Sequence, residues 1–243
     1  MSPGEGRAGS RLYLRQLLSG RDFAREDAVA RQMVNFAYAI GDRERGEAIL
    51  VDPAYSPGEI LELVAGDGLR VVGVLLTHYH ADHAGGPLFG ARVAGVAELL
   101  ELVSVPVHVQ RDEVPFVEAT TGLGPGELVA HLPGDTLEVG ELRVQLVHTP
   151  GHTPGSQCLL VEERLVTGDT LFLEGCGRTD LPGGDAGALY ESIVQRIGAL
   201  PDGTLVLPGH AYSPAPSAEL GALRRTNPVL VPRARAEWLA AFG

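Results

Sequence analysis

Between Val71 and Pro87 the chain reads VVGVLLTHYHADHAGGP, a short apolar run that ends in three histidines and an aspartate. A β-branched and aliphatic run stopping abruptly at polar residues predicts a buried strand whose carboxyl end opens into a loop. In extended backbone side chains alternate, so His78, His80 and Asp82 would face one way and His83 the other. Such a stretch can serve two adjacent metals, one through His78 and His80 and one through Asp82 and His83. Neutral imidazole and carboxylate suit zinc, iron or manganese. Gly85 and Gly86 then remove side chains where a backbone or a substrate must come close.

Further strand ends carry the same residue types. A hairpin predicted over Thr136–Val139 and Glu141–Val147 runs into His148-Thr-Pro-Gly-His152. Strands over Gln157–Val161 and Arg164–Val166 lead to Thr167-Gly168-Asp169, and Thr204–Leu207 opens into Pro208-Gly209-His210. Five of the eight histidines thus sit just past an apolar strand, and His152 and His210 each follow a Pro-Gly pair. Histidines scattered through a core would have no reason to gather there. The candidate ligands are therefore His78, His80, Asp82, His83, His152, Asp169 and His210. His108 and His131 are left as ordinary structural histidines, and His148 as a strand-end residue supporting the ligands.

Elsewhere, strands over Gln32–Ile40 and Glu47–Val51 flank the turn-rich Gly41–Gly46 and predict a hairpin. Ser56-Pro57-Gly58-Glu59 has the form of a capping box opening a helix with Ile60, Leu61, Leu63 and Val64 on one stripe. That helix feeds the strand Val71–Leu76, and a strand, helix, strand order implies parallel pairing. Val93–Val103 is helical in pattern, Val105–Val109 a short strand, and Glu118–Asp135 a loop long enough to border a substrate cleft. Asp185 can cap a helix carrying Leu189, Ile193 and Ile197 on one face.

At 243 residues an α/β chain can bury one substantial core. Residues 1–25 are expected to be a flexible amino-terminal segment and lead-in, disordered over 1–10, and 26–243 to form a single domain. Thirty-one acidic against 19 basic residues give a net charge of −12, which opposes a nucleic-acid partner. The amino terminus has no apolar signal core, and no segment approaches the roughly 20 apolar residues of a membrane span, so a cytoplasmic location away from membranes is expected. Cys158 and Cys176 form no C-x-x-C pair and are expected to be free thiols. Oligomeric state leaves no mark in the sequence.

With these residues assembled, the chain resembles the metallo-β-lactamase-fold superfamily, and within it the glyoxalase II and persulfide dioxygenase branch. The motifs that carry the likeness are T-H-Y-H-A-D-H-A-G-G at 77–86, T-P-G-H-T-P-G at 149–155, T-G-D-T-L-F at 167–172, G-C-G-R-T-D at 175–180 and P-G-H at 208–210. The resemblance implies an αββα four-layer sandwich, with 26–243 as one catalytic domain. It also implies that His78, His80 and His152 hold a first metal, that Asp82, His83 and His210 hold a second, and that Asp169 bridges them. Two zinc ions are expected, the alternatives being one iron or a mixed zinc, iron and manganese pair.

Three activities are compatible with that resemblance. The first is a hydrolase similar to glyoxalase II, in which a hydroxide between the metals attacks a small or carrier-bound acyl thioester and Asp82 and Asp169 act in catalysis. The absence of a G-x-S-x-G elbow agrees with it. The second is a mononuclear iron persulfide dioxygenase using His78, His152 and Asp169. The third is a metal-bearing binding module without catalysis. Leu181-Pro182-Gly183-Gly184 follows the G-C-G-R-T-D motif where dioxygenases usually continue with Phe-Gln, and together with Met33-Val-Asn-Phe36 it looks more like bacterial thioesterase-type hydrolases, including those of polyketide assembly lines. Arg178, in a Gly-rich turn beyond Asp169, is expected to hold the substrate thiol.

Overall fold

A computed structural model describes residues 10–243. Its strands, in chain order, are β1 (Leu12–Leu18), β2 (Phe36–Asp42), β3 (Glu47–Val51), β4 (Arg70–Leu75), β5 (Gly86–Leu88), β6 (Ala91–Val93), β7 (Val107–Gln110), β8 (Leu128–His131), β9 (Thr136–Val139), β10 (Leu142–His148), β11 (Gln157–Val161), β12 (Arg164–Gly168), β13 (Leu205–Pro208) and β14 (Ala218–Glu219). Two mixed six-stranded sheets result, ordered β1-β2-β3-β4-β7-β8 and β14-β13-β12-β11-β10-β9, with β5 and β6 forming a separate hairpin.

Alternation along the strands explains the layers. In β3, Ile49 and Val51 point into the space between the sheets, while Ala48 and Leu50 face the helices outside. Leu12, Leu14, Tyr38 and Leu75 of the first sheet meet Val144, Leu146, Leu159 and Leu207 of the second in that inter-sheet core. Outside the first sheet, Ile60 and Val64 of helix Pro57–Gly66 pack with Val96 and Leu99 of helix Val96–Leu102. Outside the second, Leu189, Ile193, Ile197 and Trp238 cover Leu165 and Val206. Helix, sheet, sheet, helix is the expected four-layer αββα sandwich. Each fully buried aliphatic side chain stabilises it by about 1.5–3 kcal/mol.

Several expectations held. β3 and β4 pair in parallel across helix Pro57–Gly66. β12 and β13 pair in parallel across the segment that Asp185 caps, its side chain accepting from the Ala188 amide at 2.9 Å. After Ala186–Tyr190 that segment widens into a π-helical stretch, Glu191–Arg196, which still leaves Leu189, Ile193 and Ile197 wholly buried. Cys158 and Cys176 are free. Among the described residues no helix is long and apolar enough to cross a membrane.

Others are corrected. Leu12–Leu18, expected within a flexible lead-in over 1–25, is a strand pairing with β2 along its whole length, and Tyr13, Leu17 and Phe23 are buried. Both faces of β1 are covered, so its sequence shows no polar alternation. The disorder expected over 1–10 falls almost wholly on residues outside those described. Gln32–Ile40 divides into a helix, Ala28–Met33, capped by Asp27, and β2. Ser56 caps no backbone amide; its hydroxyl donates instead to Glu59 Oε1 at 2.9 Å. Val93–Val103 splits into β6 and a shorter helix. Glu118–Asp135 is not one loop: helix Val114–Thr121 enters it, and β8 adds an edge strand whose half-exposed Leu128 and exposed Val129 give little apolar signal.

Candidate metal centre

The four strand ends meet at one edge of the sandwich. β4 delivers His78 and His80 from the first sheet; the loops after β10, β12 and β13 deliver His152, Asp169 and His210 from the second. Extended alternation, however, stops at His80. Ala81–Ala84 forms a single helical turn that places Asp82 and His83 side by side, so both face the centre. A short helix achieves what strand geometry would have denied His83.

Two clusters result. In the first, His80 Nδ1 lies 3.1 Å from His78 Nε2 and 3.0 Å from His152 Nε2. In the second, His210 Nε2 lies 3.2 Å from His83 Nε2 and 3.4 Å from Asp82 Oδ2. Asp169 touches both, with Oδ1 at 3.3 Å from His83 Nε2 and Oδ2 at 3.3 Å from His210 Nε2 and 3.8 Å from His152 Nε2. Each cluster brings three ligand atoms within 4.8 Å of one another, as metal coordination requires. All seven residues singled out in the sequence are thus brought together.

Four of the rings are held from behind. His83 Nδ1 donates to Asp52 Oδ2 at 2.9 Å, His152 Nδ1 to the Arg178 carbonyl at 2.7 Å, and His210 Nδ1 to the Met33 carbonyl at 2.8 Å. Thr77 Oγ1 spends its proton on Asp52 Oδ2 at 2.6 Å and can therefore accept from His78 Nδ1 at 3.0 Å. With Nδ1 so engaged, Nε2 is the nitrogen each of these rings turns toward the centre. The fit to metal ions has a second sign. Asp169 Oδ1 is buried and receives no hydrogen bond from the protein, an expensive state for a carboxylate oxygen unless a cation completes it. A side chain at Gly209 would meet that oxygen at 2.4 Å, so this position admits only glycine.

Electrostatically the clusters differ. Burial and neighbouring imidazoles push His78 well below the usual histidine range and His80 down to about 4. Burial opposes charge on His83 and His210 too, but Asp169 and Asp82 prevail, raising His83 well above its ordinary value and His210 to about 9. Burial works against the carboxylates as well, yet the adjoining imidazoles hold Asp82 and Asp169 low.

Three supporting residues escaped the sequence reading. Asn35 is buried, donates from Nδ2 to Asp82 Oδ2 at 3.0 Å and accepts from the Tyr55 hydroxyl at 3.0 Å. Asp52 braces His83 and also accepts the Thr77 amide at 2.8 Å. Glu113, 1% exposed, joins the loops of the three-histidine cluster: Oε1 accepts from the Tyr79 amide and Thr153 Oγ1, each at 2.8 Å, and Oε2 from the Gly155 amide at 2.7 Å. Burial raises Glu113 to about 7 against the pull of those donors. Only Asp52 gave a sign, a lone acid ending an apolar strand before proline.

Arg178 lines the groove above the centre, but its guanidinium is engaged with Asp180 at 2.5 and 2.6 Å. His148 bonds the Pro154 carbonyl at 3.0 Å and so braces the His152 loop, while His108 and His131 pair with each other at 2.9 Å, outside the two clusters. The groove encloses about 570 Å³ and is lined mainly by apolar side chains, among them Met33, Leu88, Phe172 and Leu181.

A family model described as the metallo-beta-lactamase superfamily matches residues 31–210. The chain belongs to that superfamily. Within it, the chain is 30% identical over 194 residues to a probable polyketide biosynthesis zinc-dependent hydrolase, BaeB, of Bacillus velezensis, covering 79% of this chain and 80% of that one. It is also 30% identical over 228 residues to the mitochondrial persulfide dioxygenase ETHE1 of Homo sapiens, covering 89% and 81%. The crystal structure of ETHE1 from Myxococcus xanthus superposes with a TM-score of 0.76 at 30% identity, covering 94% and 88%. A probable zinc-dependent hydrolase and a persulfide dioxygenase therefore both stand among this chain's relatives, and the superfamily is an enzymatic one.

Proposed function

We propose that the chain hydrolyses acyl thioesters, adding water across the carbonyl–sulfur bond to give a carboxylic acid and a thiol. The observation that carries this reading is the second cluster. Asp82, His83 and His210 are as fully braced as the three histidines, and Asp169 reaches both groups, whereas a mononuclear centre would need only one of them. His78, His80 and His152 would hold one divalent ion and Asp82, His83 and His210 the other, with Asp169 between; zinc is the metal proposed. Two such ions supply a water ionised near neutral pH and positive charge for the carbonyl oxygen.

The chain's own groups do the rest. Hydrogen bonds from Nδ1 fix the rings, so no reorganisation is needed when substrate enters. Asn35 holds Asp82 with its carboxylate on the groove floor, where it can orient the attacking water. The apolar walls displace bulk water from the thioester. Arg178 is proposed to exchange Asp180 for a carboxylate or phosphate of the thiol carrier, a bidentate swap the guanidinium fork favours.

A second reading, persulfide dioxygenase, is favoured by Gly175-Cys-Gly-Arg-Thr-Asp180 and by the ETHE1 relatives. Dioxygen separates the two. Thiol release from an acyl thioester should proceed at an unchanged rate under strict anaerobiosis, with about two metal ions per chain. Turnover that stops without dioxygen, in protein carrying about one iron, would overturn the hydrolase.

A further inference from the structure

The hairpin of β5 and β6 belongs to neither sheet and pairs only with itself, Leu88 opposite Ala91, Pro87 opposite Arg92 and Gly86 opposite Val93. Phe89 and Gly90 form its two-residue turn, with φ of 51° and 80°. Two consecutive left-handed residues match a type I′ turn, whose first position normally takes Asn, Asp or Gly because a Cβ is strained there. An aromatic residue is a costly choice at that position. Burial does not repay it: Phe89 is 75% exposed, the most exposed large apolar side chain among the described residues.

Strain retained without a packing return points to a task outside the fold. The location names the task, because Phe89 and Leu88 line the same groove as the ligands His80, Asp82 and His210. Tyr212, half exposed and stacked on the His210 ring with centroids 4.6 Å apart, lines it too. The charged side chains lining this groove are the candidate ligands and Arg178, which is already paired with Asp180. A second anionic group on the acyl portion would find no free partner.

We propose that Phe89, at the hairpin tip, is a specificity-determining residue that receives a large, uncharged apolar acyl group. This deepens the thioester reading and rests on it. The acyl carbonyl lies over the metal centre, and its alkyl or aryl portion runs beneath Phe89, while the thiol remains at Arg178. Small polar acyl groups would leave the aromatic ring in water and gain nothing from it.

The test uses metal-loaded full-length protein and acyl thioesters of the neutral thiol N-acetylcysteamine, from acetyl through octanoyl to phenylacetyl. Wild type is compared with Phe89→Asn, which puts a favoured residue into the turn and so keeps the hairpin, and with Phe89→Trp. In wild type kcat/KM should rise steeply with acyl size. Phe89→Asn should raise KM for octanoyl and phenylacetyl esters about tenfold, with kcat and the acetyl ester unchanged, and Phe89→Trp should restore selectivity. Binding of non-hydrolysable ketone analogues, with CH2 in place of the ester sulfur, is measured by calorimetry in parallel. If no ester is cleaved but the octanoyl analogue binds through Phe89, the hydrolase reading fails and the apolar site stands. If esters are cleaved and Phe89→Asn keeps the wild-type profile, the apolar site fails and the hydrolase stands.

Discussion

In the three-histidine cluster, burial keeps His78 and His80 neutral and ready to ligate, with no carboxylate closer than Asp169 on its flank. A few ångströms away, Asp82, Asp169 and Asp52 crowd around His83 and His210, raising both imidazoles above their ordinary range. His78 and His80 are thus neutral donors, whereas His83 and His210 hold protons among carboxylates where a cation would otherwise balance the charge. The contrast teaches how two adjacent metals can be held unequally by similar residues. A dication at the three-histidine cluster needs no proton to leave His78 or His80, whereas one at the carboxylate-rich cluster must displace at least one. Asp169 reaches both clusters.

The comparison is broken most severely by removing what the clusters share. Asp169→Ala should lower kcat/KM by ~10³-fold or more, about 4 kcal/mol of transition-state stabilisation, and should empty both clusters. His210→Ala should reduce metal content by about one ion and leave the three-histidine cluster loaded. Metal analysis of the purified variants checks both expectations. Near-normal metal content and turnover in Asp169→Ala would mean that the two clusters do not depend on a common bridge.

Proton linkage sharpens the contrast next. In the metal-free protein His210 keeps its proton up to about pH 9, so metal must expel it throughout the neutral range. Through the His210 proton alone, affinity of the carboxylate-rich cluster should therefore climb about tenfold per pH unit, ~100-fold between pH 7 and 9. His80 is already neutral above about pH 4, so it has no proton to give up over the same range. Chelator competition at several pH values, with proton uptake or release followed in two buffers, would show one rising site and one flat. Two parallel lines would contradict the electrostatic difference.

The same contrast divides what could be read in the sequence from what could not. The candidate ligands were legible because they follow the ends of β4, β10, β12 and β13, which are apolar enough to announce themselves. β1 was hidden because Leu12 and Leu14 face one core while Tyr13 and Leu17 face another, erasing the alternation that marks a half-buried strand. β8 was hidden for the opposite reason, being an edge with little to bury. The orientation of His83 was hidden because strand alternation turns it aside and cannot anticipate the one-turn helix Ala81–Ala84. Asn35, Asp52 and Glu113 act across 47, 31 and 40 residues of chain respectively, on Asp82, His83 and Thr153, and nothing in their own surroundings encodes those partners.

Glu113 offers the finest test of whether the clusters are separately supported. Its carboxylate faces three donors, the Tyr79 amide, the Thr153 hydroxyl and the Gly155 amide, which lie in the loops that carry His78, His80 and His152. A β-carbon at Gly155 would lie 2.6 Å from Glu113 Oε2, so the approach leaves no room for adjustment. Glutamine keeps the shape but supplies only one acceptor oxygen; its amide NH2 would point at a donor and leave a buried N–H unpaired. Glu113→Gln should therefore weaken metal at the three-histidine cluster by about tenfold, the lower end of what losing a ligand-orienting partner costs. Affinity at the carboxylate-rich cluster, braced through Asn35 and Asp52, should be unchanged, and its pH slope should remain. Site-resolved chelator titrations of wild type and variant make the comparison. Equal weakening of both clusters would show that the Glu113 clamp supports the whole centre rather than one half of it.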